Sequence, residues 1–479
     1  MNVYFLGIAG AGMSALASVL VSEGQAVTGS DAGVFPPVSH YLDRMGIAWR
    51  DGFDAAALPA DIDAAVIGGS AKLDLAHNPE LAELKRRGVP LYSFPAFLAR
   101  HTKDRETIVI AGSFGKSTLT ALLALLMREA GRDPGYFIGA APLDLDTNGH
   151  GGTDRAFLIE GDEYIIGADD RRSKFLLYHP KSLLISSLIH DHMNVFPTIE
   201  SYEAPFAALI ALLPPDAPLV CANAFAALHR LTAGRKVIWY GLERCDGYWA
   251  DKIEIGEVTR FDLVTPTGAR VALETELLGR HNIENIVGAG ALLLERGDID
   301  AAALQRGVEK FRGVARRLDK KTTVSRVPVY EGFGSSYEKA RSAIDAIALH
   351  FPDRPMVVVF EPHTFSWRNA EALVWYDTVF DGVARVLLLP PPHHGADGHA
   401  QLSQGDILAR IGAAGVNVEA MAGGAEVLEA LADSLVGDEV VLLLSSGPLD
   451  GLAETLPARL DAVFTPERGL PARAPVNEC

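Results

Sequence analysis

The chain reads as an α/β protein of about three domains, on three observations. Its 479 residues exceed what one core serves, since domains commonly run to about 100–150 residues. Apolar, β-branched runs alternate with amphipathic stretches along the whole length, which is the βαβ pattern of parallel sheets. Two of those runs break into glycine loops that open helices, at Gly7–Gly12 and at Gly112–Gly115.

The first region alternates strand and helix: Val3–Leu6, a turn at Gly7–Gly12, a helix over Met13–Ser22, a strand over Ala26–Gly29 ending at Ser30 and Asp31, and later strands at Ala64–Gly68 and Pro90–Ser93. Polar residues His101–Glu106 form a linker. The middle region repeats the alternation with strands at Ala156–Glu160, Ser182–Ser187 and Pro218–Ala222, followed by a helix-rich stretch from His281 to Phe311. A second boundary falls near Asp319–Thr323, beyond which Pro355–Glu361, Val386–Pro390 and Val440–Ser446 are further apolar strands. The tail after Phe464 is polar and carries proline, a composition expected to be loosely ordered.

Hydrophobic residues at 48% with 22% charged describe a soluble globular composition, and the net charge of -18 argues against nucleic acid or an anionic membrane as a main partner. No apolar run reaches about 18 residues, so no membrane span is expected. The start lacks a basic leader and is interrupted by glycines, which points to a cytoplasmic protein. Cys221, Cys245 and Cys479 have neither metal-ligand spacing nor the number for a disulfide framework.

Thr107–Thr118 carries the most chemistry. A buried strand, Gly112, Gly115, Lys116, Ser117 and a helix follow one another in the order that a nucleotide triphosphate site needs: backbone N–H groups for phosphate, a lysine charge, a metal-binding hydroxyl and a helix N-terminus. The spacing departs from the common P-loop, because only Ser113 and Phe114 separate the two glycines; the plain alternative is a turn that uses glycine for positive φ. Glu160, Asp162 and Glu163 end the next apolar strand, where hard oxygen ligands beside a triphosphate point to Mg²⁺. His190, Asp191 and His192 end another, and either cluster taken singly reads equally as a solvated strand end.

Gly7–Gly12 follows a strand and opens a helix, and Asp31 ends the next strand about 20 residues on, as in a dinucleotide fingerprint. The glycines fall at the first, fourth and sixth positions rather than the first, third and sixth, so a nucleotide-linked substrate is as consistent as NAD, and a bare tight turn remains open.

Together these segments resemble the Mur ligases of peptidoglycan synthesis. The resemblance rests on Gly7–Gly12, Gly112–Ser117, Glu160, Asp191–His192, the Gly279–Asn285 stretch and Arg316–Arg317, in the family's order. It implies a Rossmann-like N-terminal domain (1–104) for a UDP-sugar, a central P-loop ATPase domain (105–318) and a Rossmann-like C-terminal domain (319–479) for the amino substrate. Implied UDP-sugar residues are Gly7, Gly10, Gly12, Met13, Ser30 and Asp31. Implied ATP residues are Gly112, Ser113, Gly115, Lys116, Ser117, Thr118, Asn285 and Arg317. Lys116, Glu160 and His192 are the implied catalytic group, with Mg²⁺ on Ser117, Glu160 and His192.

Gly29–Ser39, Ile159–Tyr164, Arg171–Phe175 and Val359–Pro362 are similar to the family's recycling branch. The expected reaction is therefore ATP-dependent joining of UDP-N-acetylmuramate to L-alanyl-γ-D-glutamyl-meso-diaminopimelate, by a monomer or weak homodimer. The alternatives are the same chemistry on L-alanine or another amine, a nucleotide-sugar binder without catalysis, and an N-terminal dehydrogenase. Phe206 falls where several Mur ligases carry a carbamoylated lysine. Ser113 and Phe114 stand where the family has threonine and histidine, and Glu331–Tyr337 lacks the aspartate and two histidines of the family's C-terminal segment.

Overall fold

A computed structural model of the chain describes residues 1–34, 38–69, 73–167, 170–193, 195–392 and 401–465. Phe35–Pro37 of the Gly29–Ser39 segment, and Cys479 with the tail from residue 466, lie outside the described residues.

The α/β expectation holds: there are three sheets, dominated by parallel pairing. The first contains β1 (Asn2–Leu6), β2 (Ala26–Asp31), β3 (Ala48–Asp51), β4 (Ala64–Ile67) and β5 (Leu91–Ser93) in the order β3-β2-β1-β4-β5, all parallel. Sequential strands run outward on both sides of β1, so the switch point of the order lies beside the Gly7–Gly12 loop, where such sheets open a crevice.

The second sheet is built on β6 (Glu106–Ala111), β7 (Gly135–Phe137), β8 (Gly149–His150), β9 (Ala156–Glu160), β10 (Ser182–Ile185), β11 (Leu219–Ala222), β12 (Ile238–Gly241), β13 (Gly247–Glu254), β14 (Thr259–Val264) and β15 (Arg270–Thr275). Its order is β15-β14-β13-β12-β11-β10-β6-β9-β7-β8. β6 lies between β10 and β9 and is parallel to both, so the Gly112 loop emerges flanked by the ends of two neighbouring strands. Those ends are where the sequence places Glu160 and His190–His192. β6, β9 and β10 are apolar on both faces, as central parallel strands require.

The third sheet contains β16 (Arg317–Lys320), β17 (Val329–Phe333), β18 (Met356–Phe360), β19 (Arg385–Leu388), β20 (Val418–Ala420) and β21 (Val440–Ser445), in the order β16-β17-β21-β18-β19-β20. Only β16 is antiparallel to its neighbour.

The chain forms two compact units. The first two sheets share one, with residues 1–253, 260–275 and 281–314; the other holds 254–259, 276–280 and 315–479. Within the first unit one apolar core runs from Phe5, Leu16 and Phe97 through to Phe157, Phe175 and Tyr202. Polar ties cross it: the Gly151 N–H donates to Ser22 Oγ at 2.7 Å, and His101 Nε2 lies 2.8 Å from Glu23 Oε2. Among the described residues no helix is long and apolar enough to cross a membrane.

Candidate active site

The phosphate-type loop is shaped by its glycines. Gly112 has φ +139°, and a Cβ there would lie 2.3 Å from Ser186 Oγ and 2.9 Å from Ser187 N, so only glycine fits between the ends of β6 and β10. Gly115 has φ +85° and caps the helix Lys116–Glu129; a Cβ on it would stand 2.7 Å from Asn285 Oδ1. The Asn285 amide, on the helix Arg280–Arg296, therefore sits directly against the loop, with its Nδ2 donating to Asn282 Oδ1 at 3.2 Å.

Lys116 Nζ donates to Gly112 O at 2.6 Å and to Glu163 Oε2 at 2.8 Å. Ser117 Oγ donates to Glu160 Oε1 at 2.8 Å, while Glu160 Oε2 accepts the Gly139 N–H at 2.6 Å. Ser117 and Glu160 thus present hard oxygens at one point beside a helix N-terminus, a donor set that fits Mg²⁺. Thr118 lies in the first turn of the same helix and is buried.

His192 is brought to a different carboxylate. Its Nε2 faces Glu163 Oε1 at 3.6 Å, and that carboxylate, chiefly, pushes the imidazole pKa above its ordinary value against the effect of burial. His192 has φ +54°, and its ring meets Tyr164 edge-on at 5.2 Å. Glu163, whose side chain is only 1% exposed, is the hub that sequence reasoning passed over. The run Glu160-Gly-Asp162-Glu163 showed an acidic strand end, but which acid turns back toward Lys116 depends on the chain's path after β9. Asp162 pairs instead with Lys174 Nζ at 2.6 Å; burial pushes its carboxyl up, and Lys174, with the Tyr164 N–H and Lys116, more than offsets this, leaving it below its usual value.

The two unusual loop residues have distinct settings. Ser113 Oγ donates to Ile189 O at 2.7 Å and accepts from Ile189 N at 2.8 Å and from Tyr202 OH at 3.0 Å. Phe114 turns its ring outward, 52% exposed, while its N–H donates to Ser187 Oγ at 2.9 Å. Phe206 is buried and packs edge-on against Phe175 at 5.3 Å.

At the first sheet the side chains serve the loop itself. Gly7 N donates to Ser30 O at 2.7 Å, and Asp31 accepts from Ala9 N at 2.9 Å and from Ala32 N at 2.8 Å. Ser30 Oγ donates to Glu80, a buried carboxylate that also accepts from Tyr4 OH at 2.8 Å and pairs with Arg50. Met13 is buried in the core; Gly10 caps the helix Ala11–Ser22, and Gly12 lies beneath the Phe94 ring.

Arg317 is exposed and opens β16, in the second unit. Its neighbour Arg316 donates to Gly447 O at 2.7 Å and lies 3.0 Å from Glu331, which also meets Lys321 at 2.7 Å. Glu361 accepts from Ser445 Oγ at 2.7 Å, and the Trp367 indole donates to Gly334 O at 2.7 Å.

A family model described as the Mur ligase middle domain matches residues 110–293, and one described as Mur ligase family, catalytic domain, matches residues 2–106. A UDP-N-acetylmuramate–L-alanine ligase of Arthrobacter sp. (strain FB24) is 32% identical over 372 residues, 76% of this chain and 76% of that one. The chain belongs to the Mur ligase family. It is accordingly an ATP-dependent ligase that forms a C–N bond.

The solved UDP-N-acetylmuramate-alanine ligase of Thermotoga maritima shares the fold of this Mur ligase with a TM-score of 0.78, covering 96% of this chain and 99% of that one at 19% identity. The UDP-N-acetylmuramate:L-alanyl-gamma-D-glutamyl-meso-diaminopimelate ligase of Neisseria meningitides gives a TM-score of 0.59 and 27% identity, over 66% of this chain and 99% of that one.

These findings correct the expected amine. The recycling reading gives way, because the curated relatives, including ones aligned over nearly the whole chain, are named as ligases of L-alanine. The residues behind that reading engage one another: Asp31 holds its own loop, Lys174 holds Asp162, and Glu361 holds Ser445.

Proposed function

We propose that this chain joins UDP-N-acetylmuramate to L-alanine, with ATP activating the muramyl carboxylate as an acyl phosphate. The observation that carries the reading is the convergence of Lys116, Ser117, Glu160 and Asn285 on one glycine loop, in a chain whose curated relatives are named for that reaction. A carboxylate is a poor acyl donor because its leaving group would be oxide. Attack of a carboxylate oxygen on the γ-phosphorus releases ADP and gives the acyl phosphate; the alanine nitrogen then attacks the acyl carbon, phosphate leaves, and the nitrogen loses a proton.

The loop's N–H groups and the start of the helix Lys116–Glu129 receive phosphate oxygens, and Lys116 supplies charge as the phosphoryl group transfers. Glu163 and Gly112 O hold that lysine beside the loop beforehand, which limits the reorganisation left for the reaction. Asn285 positions the nucleotide. Mg²⁺ held by Ser117 and Glu160 would neutralise phosphate charge when bound. In the same reading residues 1–104 take the sugar nucleotide, with its diphosphate at the helix start beside Gly10 and Gly12, residues 105–318 the ATP, and residues 319–479 the amino acid.

The test is mass detection of the product with purified protein, ATP, Mg²⁺ and UDP-N-acetylmuramate. A product larger by one alanine residue, formed with L-alanine, supports the reading. Product formed only with the tripeptide contradicts it.

A further inference from the structure

A tyrosine outside every motif above reaches both halves of the phosphate site. Tyr202 lies on the helix Ile199–Leu212, buried between the rings of Phe196 and Phe206 at 5.5 Å each. Its hydroxyl stands 3.0 Å from Ser113 Oγ and 3.4 Å from Glu163 Oε1. Ser113 is the residue that follows Gly112 in the loop, and Glu163 is the carboxylate that holds Lys116. Lys116 Nζ also meets both, at Ser113 O (3.5 Å) and Glu163 Oε2, but of the two it is Tyr202 that bonds the Ser113 hydroxyl.

We propose that Tyr202 is a positioning residue for the nucleotide: its hydroxyl spans Ser113 and Glu163 and keeps the loop backbone and the lysine's counter-charge in register before ATP arrives. The inference rests on the ATP site proposed above.

The geometry gives the hydroxyl a one-way role. Ser113 Oγ spends its own proton on Ile189 O, so toward Tyr202 it accepts. Glu163 is a carboxylate and accepts as well, so the phenol's single proton is shared between the two acceptors. Burial, followed by the charge of Glu163, pushes the phenol pKa up and keeps that donor protonated. Without the hydroxyl, Ser113 retains Ile189, but its side chain loses the link to Glu163, and only Lys116, the group to be positioned, still joins the two. The loop's N–H groups then lose a restraint at the position where they must meet phosphate, and preorganisation is what such sites contribute.

The test compares Tyr202→Phe, Ser113→Ala, Ser113→Thr and the Tyr202→Phe/Ser113→Ala double variant of the full chain, read by binding of the fluorescent analogue MANT-ATP, by UDP binding and by Tm. Tyr202→Phe is expected to weaken MANT-ATP about tenfold, the scale of one buried hydrogen bond, and Ser113→Ala, which loses the Ile189 bonds as well, at least as much. The double variant should be no weaker than the worse single one, because one link is removed twice. Ser113→Thr keeps the acceptor and should bind as the native chain does. In turnover, KM for ATP should rise more than kcat falls, with UDP affinity unchanged.

Native MANT-ATP affinity in Tyr202→Phe overturns the proposal, and so does a parallel loss of ATP affinity, UDP affinity and Tm. Should Tyr202→Phe fail to fold, the serine pair decides: a gap between Ala and Thr supports the link, and equal affinities overturn it. Because analogue binding needs no turnover, a native chain that binds MANT-ATP but makes no amide removes the ligase reading alone.

Discussion

The two glycine loops of the first unit share one plan, a parallel strand, a glycine turn and a helix, yet their side chains do opposite work. At Gly112–Gly115 the surrounding side chains bring charge to the loop: Lys116, Glu160 and Glu163 converge there, and Asn285 closes from a distant helix. At Gly7–Gly12 they build the loop itself, since Asp31 accepts from the loop's Ala9 N–H and Ser30 is tied to buried Glu80. The shared plan supplies an anion-receptive helix start. What makes one of them a reaction centre is the sequence that arrives from neighbouring strand ends.

The difference can be broken in four places. The largest effect belongs to Lys116: Lys116→Gln should lower phosphate release about 100- to 1,000-fold, the scale of losing one preorganised group at a charged transition state. Steady-state kinetics reads it, and a loss under threefold would make the two loops alike.

Next come the glycines. Gly112→Ala forces a side chain into φ +139° and a 2.3 Å clash, and should destabilise by about 2 kcal/mol or more. Gly10→Ala meets nothing closer than Met13 Cγ at 3.5 Å and should stay within about 0.5 kcal/mol. Urea unfolding of both variants gives the contrast directly.

Asp31→Ala removes the acceptor of Ala9 and Ala32 and should destabilise by about 1 kcal/mol while raising KM for the sugar nucleotide more than KM for ATP. Equal changes in both would mean that the loops are coupled.

The smallest effect lies outside both loops and serves as a control. His350 accepts the Gly279 N–H at Nε2, 2.7 Å away, and its Nδ1 lies 2.7 Å from Gly256 O. Burial holds its pKa below the ordinary 6.5. The unfolded chain therefore takes up a proton that the folded one refuses, so stability is full above pH 6.5 and declines as pH falls below it. His350→Gln should flatten that decline in the unit carrying residues 315–479 and leave ATP binding unmoved.

Much of this was legible in the sequence. The strand-loop-helix order at Val109–Leu119 and the acid at Glu160 could be read because each follows a local pattern, Asn285 came only through the family resemblance, and the structure brings all three together. Glu163 and Tyr202 could not be singled out. Their roles come from the path of the chain after β9 and from one face of a later helix, which no local pattern encodes. The amine was misread for a related reason. The segments that resembled the recycling branch include Glu160 and Glu163 at the phosphate loop and Asp31 at its own loop, and residues that serve ATP or a loop carry little information about the amine.

The most direct test of the account follows the oxygen. UDP-N-acetylmuramate labelled with ¹⁸O in both carboxylate oxygens is turned over with ATP and L-alanine, and the phosphate released is weighed. An acyl phosphate places one labelled oxygen in each phosphate and leaves the other in the amide. Phosphate free of label, with turnover intact, would contradict carboxylate phosphorylation at the Gly112–Ser117 loop.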